Sequence, residues 1–255
     1  MNEISVVIIT KNEAAHITDC IKSAQLITAD ILVSDNGSTD DTLSLAEKAG
    51  AKIIKTEWKG FGTTRNMAAA FAKHNWILAL DADERITQEL KNSLDQLNFE
   101  NNNRVYGFKR QNYLNHKKIR FGEWGRDKVF RLYHKEHTHW SEVPVHEQII
   151  GENAEYTFIK GYIEHYPVST PEKNKEKTVK YAQLNALKFF QQQKKATFAK
   201  RFLSPAFNFI KMYILLLGFL DGKEGFRIAK YTTEYTWLKY HFLHELYRDA
   251  FKKSY

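Results

Sequence analysis

With a single cysteine, Cys20, in 255 residues, the chain cannot form an internal disulfide or a multi-cysteine zinc site. That usage suits a reducing compartment, and the cytoplasm is the expected location. Long hydrophobic runs are also missing. The uninterrupted apolar stretch of the C-terminal region, Met212–Leu217, falls far short of the ~20 residues that span a bilayer, so it can lie on a membrane without crossing it. The N-terminal "MNEISVVIITKNE" has no basic n-region and too short an apolar run for a signal peptide, and it reads as a first strand. There is no internal repeat, and no helix-turn-helix, zinc or RNA-binding signature. No nucleic-acid partner is expected.

What is present argues for a folded chain: 43% of residues are apolar and 14% aromatic. The net charge of +8 is unevenly placed. Met1 to Tyr166 carries 21 Lys and Arg against 23 Asp and Glu, a net −2, whereas Pro167 to Tyr255 carries 17 against 7, a net +10. A basic, aromatic-rich tail of this kind suits an anionic surface such as phospholipid headgroups or nucleic acid phosphates, or is simply the solvated face of a helix.

The first hundred residues alternate strand and helix patterns. "ISVVIIT", "ADILVSD", "AKIIKTEW" and "WILALDAD" read as strands, and "NEAAHITDCIKSAQ", "STDDTLSLAEKAG" and "TTRNMAAAFAKH" as the helices between them. Repeated β-α-β units predict an α/β fold with a mostly parallel sheet flanked by helices, and a ligand at the carboxyl ends of its strands. The polar clusters fall at those ends: Thr10-Lys11-Asn12-Glu13, Asp35-Asn36-Gly37 and Asp81-Ala82-Asp83. A helix near Gln88 to Leu97 follows, then the strand candidates "VYGFKRQNYL", "KVFRLYH" and "YTFIKGYIEHY", which extend the sheet and wall the site. From Pro171 onward the composition is helical.

Three segments carry chemistry. In "WILALDADERI" an apolar strand runs into Asp81, Asp83 and Glu84, and like charges held together need neutralising. Mg²⁺ and Mn²⁺ bind oxygen ligands, commonly one or two carboxylates plus substrate phosphates, so a divalent ion bridging protein to a diphosphate is one answer. In "VSDNGSTDDT", Ser38 or Thr39 can cap the next helix, which leaves Asp35 at the strand tip without a structural task. In "KGFGTTRN", two glycines and Arg65 precede a helix, where backbone amides and a guanidinium favour phosphate. Three such ends on one sheet point to a nucleotide-diphosphate site.

On these residues the chain resembles the inverting family 2 glycosyltransferases of GT-A fold: "SVVIITKNE", "VSDNGSTDDT", "GFGTTRNMA" and "LALDADE" occur in that order. "VHE" at Val145 to Glu147, "EHYPV" around His165 and the late "FLSPAFNFIKMYILLLGFLDGKEGF" are similar to bacterial lipopolysaccharide core transferases of the β-1,4-glucosyltransferase type. The resemblance implies a nucleotide-sugar-binding half over 1–97, an acceptor and catalytic half over 98–170, and a basic helical region over 171–255 that meets a membrane surface.

The resemblance also implies roles. Asp35 would contact uracil or ribose, with Thr10, Asn12 and Glu13 beside it, and Arg65 would border the diphosphate. Asp81 would lie near ribose and metal, Asp83 would bind Mg²⁺ or Mn²⁺ directly with Glu84 in support, and His165 or His146 would complete the metal or diphosphate site or serve as a structural hydrogen-bonder. Inversion needs a carboxylate to take the acceptor's proton, and many relatives use a Glu-Asp pair that this chain lacks. Glu147 is the first candidate, Asp127 the second and Glu142 the third. Trp124, Trp140 and Tyr113 would stack on a sugar or sit in the core. The implied activity is transfer of a hexose, glucose from UDP-glucose, onto a lipid-linked saccharide such as the lipopolysaccharide inner core, by an enzyme peripheral on the inner face of the cell membrane.

Two rivals remain from the residues alone. A sugar-phosphate nucleotidyltransferase would share the fold and metal, but "TKNEAAH" lacks the glycine-rich loop expected after its first strand. A nucleic-acid-binding protein would explain the tail and leave the acidic turns idle.

Overall fold

The structure, a computed structural model, describes residues 3–143, 147–167 and 171–252. Val145 and His146 of the "VHE" motif lie outside these residues. The β-branched first strand, β1 (Ile4–Thr10), is buried along its whole length, as a central parallel strand must be. Its residues alternate between two cores. Ile4, Val6 and Ile8 pack with Ile17, Cys20, Ile21 and Ala24 of α1 (Ile17–Ala24), and Val7 packs with Ala68 and Ala69 of α3 (Phe61–Ala69) on the opposite face.

β1 pairs in parallel with β2 (Ile31–Asp35) on one side and with β4 (Trp76–Asp81) on the other. β3 (Lys52–Lys55) adds in parallel beyond β2, after α2 (Thr42–Lys48). The chain therefore winds outward from β1, then returns to its other side at β4, and the crevice of an open α/β sheet lies at such a reversal. Beyond β4 the sheet becomes mixed, in the order β4, β8 (Lys128–His134), β6 (Arg104–Leu114), β11 (Glu155–His165) and β5 (Glu84–Ile86). Only the β6–β11 pairing there is parallel. The expected α/β architecture, a largely parallel sheet between helices, is the one observed. α4 (Gln88–Asp95) is capped by Thr87, whose side chain accepts from Leu90 N, and β9 (His139–Trp140) pairs with β10 (Ile149–Ile150).

Three helices begin later or earlier than the pattern predicts, each for a visible reason. α1 starts at Ile17 because residues 13–16 turn away from β1, led by Asn12 at φ +57°. α2 starts at Thr42, since Ser38 and Thr39 bond to Asn12 of the neighbouring loop instead of capping the helix. α3 starts at Phe61, placing Gly62 and Arg65 inside the helix. Gly62 is needed there because a Cβ would stand 2.1 Å from the carbonyl oxygen of Ser141.

The chain divides into two compact units, Met1–Asn112 with Asp127–Pro167, and Tyr113–Arg126 with Val168–Tyr255. The second contains β7 (Lys117–Lys118), α5 (Pro171–Gln191), α6 (Phe198–Ile210), a π-helical turn at Lys211–Leu215 and α7 (Gly222–Lys252). Leu114, Ile119, Met212, Ile228 and Ala229 form its core, and the buried carboxylate of Asp221 accepts from the amides of Arg120 and Phe121. On α6 and the π-turn, Phe198, Leu203, Phe207, Ile214 and Leu215 are exposed, Phe198 by 77%. Two basic groups of the same segment are paired, Arg201 with His241 and Lys211 with Glu123. Among the described residues no single helix is long and apolar enough to cross a membrane; Phe198–Leu215 and Gly218–Phe251, bent by 69°, meet that test only as a pair.

Gly161 sits at φ +93° in the irregular stretch of β11, where an added Cβ would lie 2.5 Å from Leu90 Cα. Gly161→Ala is expected to destabilise the protein by about 2–4 kcal/mol through strain and backbone collision combined. A urea unfolding midpoint equal to that of the wild type would contradict this account of the α4–β11 contact.

Candidate active site

Parallel pairing brings the polar strand ends together. Thr10 is the register partner of Asp35, and Ile9 that of Asp81, so the tips of β2, β1 and β4 finish side by side. Asp35 is buried and closes its own loop, with one carboxylate oxygen accepting from Gly37 N at 3.0 Å and Ser38 N at 3.1 Å and the other from Ser38 Oγ at 2.5 Å. A carboxylate offers about four acceptor sites, which leaves room for a further donor. Asn12 ties the two loops through its side chain and amide, and Glu13 N donates to Thr42 Oγ1 at 2.8 Å. Thr10 Oγ1 is buried with no hydrogen-bond partner among the described residues.

The charge at "LDADE" is neutralised within the protein by three arginines. Asp81 Oδ1 accepts from Arg65 Nη2 at 2.6 Å and Oδ2 from Arg131 Nη2 at 2.7 Å. Arg131 Nη2 also reaches Glu84 Oε1 at 2.9 Å, and Arg110 Nη1 lies 3.4 Å from the same oxygen. Arg110 goes on to Asp127 Oδ2 at 2.7 Å through its Nε, and Arg65 Nη1 goes to Glu147 Oε1 at 2.7 Å. The result is a continuous row: Glu147, Arg65, Asp81, Arg131, Glu84, Arg110, Asp127.

Burial decides how that row behaves. Arg65 and Glu84 are 2% and 0% exposed, and charges removed from water persist only when paired. Burial alone would raise the pKa of Asp81, but Arg131 and Arg65 outweigh it and hold the carboxyl well below the usual range. Arg131 is correspondingly held in its charged form by Asp81 and Glu84 against its own burial. Glu84 also accepts from Asp81 N at 3.0 Å, so it closes the turn that carries Asp81 and Asp83. Cys20, 3.5 Å from the carbonyl of Asp81, has its thiol pKa pushed up by burial and the nearby carboxylates, which makes it inert.

Asp83 stands apart from the arginine row and faces His165, with Oδ2 3.4 Å from Nε2. Tyr166 N donates to the Asp83 carbonyl at 2.9 Å and fixes that approach. His16, just before α1, is within electrostatic reach of Asp83 and His165; burial lowers its pKa, and its Nδ1 has no hydrogen-bond partner among the described residues. No group of three or more His, Cys, Asp or Glu side chains among the described residues is placed to hold a metal ion. Asp83 and His165 fit a divalent ion that takes its remaining ligands from substrate phosphate and water.

The remaining sequence candidates are spread out. Glu147 is largely covered and keeps one oxygen, Oε2, without a hydrogen bond to any described residue. Asp127 is bound by Arg110 and by Asn112 Nδ2 at 3.1 Å. Glu142 is on an exposed loop. Trp140 is core: its ring lies 4.5 Å from the Arg65 guanidinium, and Asn66 bonds its backbone N and O. Tyr113 and Trp124 belong to the second unit.

Arg110, Arg131, Asn112 and His16 escaped the sequence reading. The two arginines left a signal, since each is a charge inside a strand predicted to extend the sheet and wall the site, and such a charge, if buried, needs a partner. Arg131→Met, which removes one partner from buried Glu84 and from Asp81, is expected to cost about 3–5 kcal/mol at pH 7, measured by urea unfolding. Because the folded pKa of Asp81 is depressed, its pairing contributes in full above the ordinary value of 3.8 and is lost as pH falls below it. The gap between wild type and variant therefore narrows in acid; a gap that widens would contradict the assignment.

The pattern of Glycosyl transferase family 2 matches residues 5–151. Over 238 residues the chain is 28% identical to an uncharacterized glycosyltransferase of Rickettsia prowazekii, covering 89% of this chain and 81% of that one. The lipopolysaccharide core biosynthesis glycosyltransferase LpsC of Rhizobium meliloti is 25% identical over 246 residues, covering 87% of each chain. Among solved structures, S. aureus TarS 1–349 in complex with UDP-GlcNAc has a TM-score of 0.46 at 15% identity over 98% of this chain and 92% of that one, a likeness too low to bear on the site. These matches favour neither a nucleotidyltransferase nor a nucleic-acid-binding protein. With more than half of its residues inside the family pattern, and that stretch holding all three polar strand ends, the chain belongs to glycosyl transferase family 2.

Proposed function

We propose that the protein is a metal-dependent inverting glycosyltransferase that moves a hexose, glucose from UDP-glucose, onto a lipid-linked saccharide such as the lipopolysaccharide inner core. The observation that carries the donor site is the register of β2, β1 and β4, which sets Asp35, Thr10 and Asp81 side by side where the sheet reverses. Asp35 accepts from the uracil or ribose, with Thr10, Asn12 and Glu13 lining the same edge. Asp81, held by Arg65 and Arg131, presents a fixed negative wall toward the ribose, and Arg65 borders the diphosphate from behind that wall.

Charge supports the cofactor. The row and Asp83 together hold five carboxylates, Glu147, Asp81, Glu84, Asp127 and Asp83, against three guanidiniums, a net −2 before an anionic diphosphate arrives. Asp83 and His165 are the residues that would hold Mg²⁺ or Mn²⁺, which when bound supplies positive charge to the departing diphosphate. Glu147 is the proposed base. Arg65 fixes its Oε1, and the other oxygen, Oε2, takes the proton of the acceptor hydroxyl. Asp127 and Glu142 are the second and third candidates.

The acceptor is inferred from two independent features. LpsC, a relative along most of its length, is named for lipopolysaccharide core biosynthesis. The second unit exposes Phe198, Leu203, Phe207 and Leu215 beside Lys200, a composition suited to shallow insertion among anionic headgroups on the inner face of the cell membrane.

Isothermal titration with a panel of uridine diphosphate sugars tests the donor. Binding of UDP-glucose with Mn²⁺ that disappears with chelator is the expected result, and no binding of any donor in either condition would contradict the reading. Glu147→Gln is expected to keep donor affinity and lose transfer by about 10²-fold or more. Full activity in that variant would move the base to Asp127 or Glu142.

A further inference from the structure

His165 does not stand alone opposite Asp83. It is the register partner of Asn112 on β6 and of Glu84 on β5, so the sheet itself sets Asn112, His165 and the "DADE" turn in one line across three strands. Asn112 is 2% exposed, and its Oδ1 lies 2.5 Å from His165 Nδ1. Its Nδ2 lies 3.1 Å from Asp127 Oδ2. A carboxylate in the charged arginine row can only accept, so the amide nitrogen must face Asp127 and the amide oxygen must face the ring. An amide oxygen likewise only accepts, so His165 Nδ1 must carry a proton. In the neutral ring that leaves Nε2 as a lone pair, aimed at Asp83 Oδ2 from 3.4 Å. Two acceptors facing each other repel unless a proton or a metal cation lies between them.

We propose that Asn112 is a positioning residue that fixes His165 in the Nδ1–H tautomer and so holds the Nε2 lone pair, with Asp83, as a seat for a divalent cation. Asp127 orients the Asn112 amide, and Arg110 holds Asp127 in place through Nε and Nη2 at 2.7 Å each. This gives Asp127 a part in supporting the metal seat. Free histidine favours the opposite tautomer, so the assignment makes a spectroscopic demand that a merely structural asparagine would not. Outer partners that fix a ligand's tautomer typically change metal affinity by about 10–100-fold when removed.

The inference rests on the metal seat of the proposed function, and one experiment separates the two. Full-length protein labelled with ¹⁵N-histidine is examined at pH 8 by two-dimensional NMR without metal, then titrated with Mn²⁺ alone, beside Asn112→Leu. The expected wild-type spectrum shows His165 protonated at Nδ1 only, with its ring signals broadened early by Mn²⁺. In Asn112→Leu the proton moves to Nε2, and broadening needs at least about tenfold more Mn²⁺. A wild-type His165 protonated at Nε2, or at both nitrogens, with Mn²⁺ broadening intact would overturn the part given to Asn112 and leave the metal seat standing. The expected tautomer with no Mn²⁺ effect at His165 would overturn the seat itself, and the proposal with it. The wild-type spectrum alone decides the tautomer, so the test survives a variant that fails to fold.

Discussion

The alternation of guanidinium and carboxylate across the sheet is the constraint on which the rest of the first unit depends. Asp81 ends β4, Arg131 lies on β8, Arg110 on β6 and Glu84 on β5, so the row passes through the strands that join the parallel half to the mixed half. Two carboxylates three residues apart and largely out of water would repel strongly. With a guanidinium between them, each instead satisfies the other's desolvation, and neither can be removed without stranding a buried charge. Arg65 extends the row from α3 and stacks on Trp140, which links the helix face to the β9 strand through the same group.

This arrangement divides the labour in "LDADE". Asp81 and Glu84 are committed to protein cations, and Asp83 is the acid turned toward His165. A nucleotide-sugar site needs both kinds of charge: fixed walls that do not reorganise during reaction, and a place where a mobile cation meets phosphate. The row supplies the walls. It holds four carboxylates against three arginines, and Asn112 carries its order onward to His165. The three base candidates thus differ in kind: Glu147 lies at one end of the row with an oxygen unbonded among the described residues, Asp127 is bound within the other end, and Glu142 is outside it.

Most of the fold was legible because it follows from periodicity. β1, β2, β4 and β8 fall where β-branched and apolar runs place them, and the strand-tip positions of Asp35 and Asp81 follow from parallel winding. Helix starts were less legible, because they depend on contacts between loops: Ser38 and Thr39 look like caps, but Asn12 engages them first. The arginine row was legible only as a puzzle. Sequence shows acids that need a partner, and Arg110 and Arg131 lie 26 and 47 positions from Glu84, a separation that only the mixed strand order closes. Asn112 left no signal at all, since nothing in its local pattern indicates that β11 will lie beside β6.

A crystal structure with Mn²⁺ and uridine diphosphate, with the ion located by anomalous scattering at the manganese edge, tests this division of labour most directly. The account predicts an ion ligated by Asp83 and His165, with Asp81 still held by Arg65 and Arg131. An ion ligated by Asp81, with those guanidiniums displaced, would contradict it.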